Sequence, residues 1–144
     1  MNRRSLVIVL HWSVVLLILM LVKGGSDLPA LRWVFVSAAG LWVAMSLTGG
    51  MLGRPGPKLT GLVRSAFRPM HLALYTLLGA SAAVNAAALL GYANAQAAWQ
   101  TLLVLVVAGT FHAIFHLWRH TALYDGALRM TTPRIWHKYL PDYA

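Results

Sequence analysis

The sequence predicts an all-α integral membrane protein, a four-helix transmembrane bundle with both termini in the cytoplasm. Three observations carry this. The chain of 144 residues is 59% hydrophobic and only 10% charged, with a mean hydropathy of +0.66, whereas soluble domains carry about 25% charged residues. Four apolar segments approach or exceed the roughly 20 residues that cross a bilayer, at approximately 6–22, 31–52, 70–92 and 97–117. The cationic residues divide unevenly between the connections.

Taken in order, the first span follows Arg3 and Arg4 and is the shortest. LVKGGSDLPA offers no convincing small-x-small cleavage site after it, so it reads as a retained signal anchor. Span two ends in GRPGPKLTG, whose Gly and Pro residues predict a loop without helical pattern. The Ala-rich GASAAVNAAALLGYANAQAA straddles spans three and four, where small side chains allow close helix packing or leave room for a flat prosthetic group. The fourth helix is expected to run past the bilayer, and residues 1–144 form a single membrane domain.

Arg3 and Arg4 precede span one, Arg54, Lys58, Arg64 and Arg68 lie between spans two and three, and Arg119, Arg129, Arg134 and Lys138 follow span four. Lys23 and Arg32 fall on the opposite side. The positive-inside tendency therefore places both termini and the long middle loop in the cytoplasm, and GGSDLP and GYANAQ outside. A net charge of +9 would suggest nucleic acid for a soluble protein, but this placement explains it as topology, so no nucleic-acid partner is expected.

Composition narrows the chemistry. Without cysteine there are no disulfides, thiolate nucleophiles or iron–sulfur clusters, and with only Asp27, Asp125 and Asp142 as acids, paired-carboxylate catalysis is not expected. Histidine is what remains. His112, His116 and His120 recur at every fourth residue in FHAIFHLWRH, while His11 and His71 stand near the starts of two other spans. Imidazole within a membrane span is costly and usually kept for a task.

Helical rise converts spacing to depth. His11 lies seven residues after Arg4 and His112 seven before Arg119, so both should sit about 10 Å inside the cytoplasmic boundary. His71, three beyond Arg68, and His116, three before Arg119, should be level at about 4.5 Å, and His120 at the interface. The four-residue steps put the three imidazoles of span four on one face toward the bundle interior. Two imidazoles at equal depth on different helices are the arrangement that holds a b-type haem edge-on in a bundle. Arg4, Arg68, Arg119 and His120 are the groups that could reach haem propionates. Simpler roles compete: a membrane histidine can bond a carbonyl or neighbouring helix, and an HxxxHxxxH face can bind zinc or copper, here without Cys or Glu support. His137, in RIWHKYLPDYA, reads as exposed.

RSLVIVLHW, MHLALYTLLG and above all FHAIFHLWRHTALYDGALRM resemble the bacterial cytochrome b561 family, related to the cytochrome b subunits of hydrogenases and formate dehydrogenases. The resemblance touches three of the four spans. It implies a multi-pass protein of the bacterial inner membrane that exchanges electrons with quinone or a partner subunit. Its members hold two b haems, and the ligands of the cytoplasmic-side haem match His11 and His112 here, with His71 in a supporting role near haem or quinone and His120 near propionates or a quinone headgroup. The outer haem has no counterpart ligands: Phe35 stands at the helix-two position and AAWQTL opens helix four without histidine. The expectation is one haem b, with ubiquinone as a candidate second cofactor near His71, His116, His120, Trp12, Trp118 and Tyr75. Two other outcomes stay open, an accessory subunit of a respiratory or photosynthetic complex with reduced or lost haem binding, and an oxidoreductase resembling superoxide oxidases.

Overall fold

The computed structural model describes residues 2–51 and 53–141. Four helices in it are long and apolar enough to cross a bilayer. α1 spans Arg3–Met20 and continues through a π-helical turn, Leu21–Gly25. α2 spans Pro29–Gly49, α3 Gly61–Leu89 and α4 Ala95–Ala122; a short α5, Ala127–Thr131, and a 3₁₀ turn, Arg134–Tyr139, complete the chain. There is no strand among the described residues.

Local chemistry sets the ends. Asn2 accepts from the Ser5 amide at 2.9 Å and Asn94 from the Ala97 amide at 2.6 Å, satisfying first-turn donors of α1 and α4. α2 opens on Pro29, whose missing N–H is no loss in a first turn. Gly24, at φ 135°, ends the π turn in a conformation that L side chains rarely adopt. α3 starts nine residues before its apolar span and takes in Arg64, Arg68 and Pro69. Hydropathy marks where a helix meets lipid, not where it begins, and the helix carries on in the polar region. Likewise α2 stops at Gly49, short of the span end expected at Leu52, which lies outside the described residues.

Successive helices pack as neighbours, α1 on α2, α2 on α3 and α3 on α4, while α1 meets α4 more thinly. The outer surface is apolar on every long helix, with Leu16, Leu41, Leu72 and Ile114 all about half exposed or more. In water such a surface would be untenable; against lipid it is the expected sheath. Hydroxyls on this sheath bond to their own helix, Thr110 to Val106 O at 2.8 Å and Thr48 to Ala44 O at 3.0 Å, so these two donors do not meet lipid unpaired.

The bundle interior has two halves. Toward the loops at 26–28 and 90–94 it is a packed core of Val14, Ile18, Leu21, Phe35, Leu78 and Leu102, with Phe35 completely buried. Ala82 and Ala98 are buried between α3 and α4, so the small residues serve close packing. Asn85 fastens this end: its amide donates to Ser81 O at 2.9 Å, and its Oδ1 accepts from Arg32 at 3.3 Å. Toward the end that holds the described termini, the interior opens instead into a cavity.

Candidate functional site

The cavity has a volume of about 460 Å³ and is walled by all four long helices and by α5. α1 contributes Arg4 and His11, α2 Trp42, α3 His71 and Tyr75, and α4 Gly109, His112 and His116. The near-absence of α1–α4 packing is what leaves the space. Gly109, one turn before His112, enlarges it, since a Cβ there would meet no atom within 4 Å.

Four of the five membrane histidines share this cavity. On α1, His11 is held between rings, 5.2 Å from Trp42 and 5.6 Å from Trp12. On α3 and α4, His71, His112 and His116 form one cluster, with ring centroids 4.9 Å apart for His71 and His112, 5.5 Å for His71 and His116, and 4.5 Å for His112 and His116. The Nε2 atoms of His71 and His116 are 3.4 Å apart.

Hydrogen bonding fixes the tautomers of this pair. His71 Nδ1 lies 2.7 Å from Phe67 O, and a carbonyl only accepts, so Nδ1 carries the proton. With that ring neutral, its Nε2 is a lone pair, and His116 Nε2–H is the donor that matches it. His116 Nδ1 and His112 Nδ1 are buried with no protein partner. Trp42 Nε1, a donor only, is also buried without an acceptor, on the cavity wall. Buried polar atoms left in this state cost free energy unless a ligand or water meets them.

The cations expected near propionates fall in different places. Arg4 lines the cavity. Arg68 is exposed and forms no part of the wall. Arg119 is 1% exposed and committed elsewhere: its Nε and Nη2 both lie 2.7 Å from Asp125 Oδ2, and its guanidinium stacks 5.1 Å from the Phe67 ring. His120 is 2% exposed, buried by the polypeptide at the end of α4.

No family model, curated protein or solved structure matches this chain. The site must therefore be read from its own residues.

Some wall residues carry no sequence signal strong enough to single them out. Trp42 is one of three aromatic residues in α2, with nothing in its spacing to set it apart from Trp33 and Phe35, and Met130 and Thr131 reach the cavity only because the chain turns back after α4. Gly109 had a legible cue, its position one helical turn before His112 on the same face. Trp12 and Trp118 do not line the cavity; Trp12 Nε1 instead donates to Thr131 O at 2.9 Å and packs on Trp136, pinning the C-terminal segment over α1.

Proposed function

We propose that the protein is a mono-haem b-type membrane cytochrome that transfers electrons to or from quinone or a partner redox subunit, as an oxidoreductase of the bacterial inner membrane. One observation carries the reading: a cavity of about 460 Å³, within the 300–1,000 Å³ typical of cofactor sites, has imidazoles from both α1 and α4 in its wall. The residues fit the group. His11 and His112 would hold it, the buried Nδ1 of His112 lacks any protein partner, and Gly109 leaves open space on the same wall. When bound, b haem would supply a one-electron iron couple suited to electron transfer.

The chain's own groups do the rest. Arg4, on the cavity wall, would pair with a haem propionate. The rings of Trp42 and Tyr75, edge-on to each other at 5.7 Å, exclude water and offer the free Trp42 donor to a carbonyl oxygen such as that of a quinone. His71 keeps its Phe67 bond and supports His116 rather than ligating. Fully buried Phe35 fills the other half of the bundle, consistent with a single haem. The positive-inside distribution supports a cytoplasmic-side cavity, at the end that holds both described termini.

A pyridine haemochrome count with reduced-minus-oxidised spectra tests this. We expect about one haem per chain, lost in His11→Ala and in His112→Ala and kept in His71→Ala. A wild-type chain without a Soret band after expression with adequate haem would reject the reading and leave the accessory-subunit role.

A further inference from the structure

The imidazole cluster has a geometry of its own that does not depend on haem. One donor atom from each of His71, His112 and His116 lies within 4.8 Å of the others. With metal–imidazole bonds of about 2.0 Å, ligand nitrogens stand roughly 3.3 Å apart in a tetrahedral site and about 3.5 Å apart in a trigonal one. The His71–His116 separation of 3.4 Å already falls between these values. His112 needs to close by at most about 1.4 Å, a small side-chain rotation, since its buried Nδ1 is held by no hydrogen bond.

Charge selects the ion. Among the described residues, none that lines the cavity carries a carboxylate. Asp125 is bound to Arg119, and Asp27 lies at the opposite end of the bundle beside Arg32. The desolvation cost of an ion scales with the square of its charge, so a dication with three neutral ligands costs roughly four times as much as a monocation. Imidazole suits copper as well as zinc. We infer that His71, His112 and His116 form a copper site that takes Cu⁺ in the haem-free chain, with His112 shared so that copper and haem exclude one another. Binding through both Nε2 atoms moves the His116 proton to Nδ1 and releases none.

The full chain, produced without haem and purified in detergent under anaerobic reducing conditions, is titrated with Cu⁺ against a competing chelator. One Cu⁺ per chain is expected, with X-ray absorption showing three imidazole nitrogens and no sulfur. Affinity should fall at least 100-fold in His71→Ala and in His116→Ala, and remain within a few-fold in His11→Ala and His137→Ala. A sulfur scatterer, which would implicate Met130 on the wall, overturns the site, as does tighter binding of Zn²⁺ than Cu⁺ or unchanged affinity in folded His71→Ala. The wild-type absorption spectrum decides even where a variant does not fold. The two readings fail separately: copper requires His71 but not His11, and haem requires His11 but not His71. Absence of haem with copper binding intact rejects the cytochrome alone, and Cu⁺ held in the haem-loaded chain rejects the shared ligand.

Discussion

At the scale of single residues, the cavity depends on what is missing from Gly109. Because a Cβ there meets no atom within 4 Å, Gly109→Ala should fold and retain haem, while Gly109→Phe should fold yet bind less than a tenth as much, its ring occupying the space. Haemochrome yield beside a thermal melt checks this; equal haem in both variants would mean that the cofactor lies elsewhere. Depth reasoning from the flanking arginines placed His71 level with His116, and the two rings do meet. It left the contact between His71 and His112 unseen. Spacing gives height along a helix, but the rotation of α3 about its own axis is set by tertiary packing, here Phe67 of α3 against Phe115 and His116 of α4. Trp42 was illegible for the same reason.

At the scale of elements, the end of α4 is organised by the Arg119–Asp125 pair, whose side chains are 1% and 0% exposed. Asp125 Oδ1 also accepts from the Ala127 amide, the first residue of α5, at 3.0 Å. Gly56 presses on the pair so closely that a Cβ would lie 2.5 Å from Asp125 Oδ2, and Lys58 Nζ donates to Tyr124 O at 2.9 Å. The 53–60 loop, α4 and α5 are thus one unit. Asp125→Ala strands a buried guanidinium, and should cost about 3–5 kcal/mol of stability, with Gly56→Val acting in the same direction through overpacking. Thermal unfolding in detergent measures both, and limited proteolysis should cut the loop sooner; a melt unchanged by Asp125→Ala would show the pair to be solvated. The spacing of six residues hid this pair in the sequence, because it fits no helical face. Tyr124, at φ 53°, turns the chain back so that Asp125 returns to Arg119.

At the scale of the molecule, four helices were legible because a lipid-facing bundle writes its exterior in long apolar runs, while helix ends were not, since helices continue beyond lipid as α3 does at Gly61. Inside-out orientation rests on charge alone: the termini and the 50–60 loop carry most of the cations, whereas the connections near 23–32 and 90–94 hold only Lys23 and Arg32. The natural absence of cysteine makes the chain its own blank for thiol labelling. Tyr92, 85% exposed, and Thr60, which caps α3 without a side-chain hydrogen bond, are positions where cysteine disturbs little. In bacterial spheroplasts, a membrane-impermeant maleimide should label Tyr92→Cys directly and Thr60→Cys only after permeabilisation. The reverse pattern would turn the bundle over and put the histidine cavity on the outer side. An electron donor or quinone reaching His11 and His112 would then have to approach from outside, and the cytoplasmic electron-transfer reading would fail with its topology.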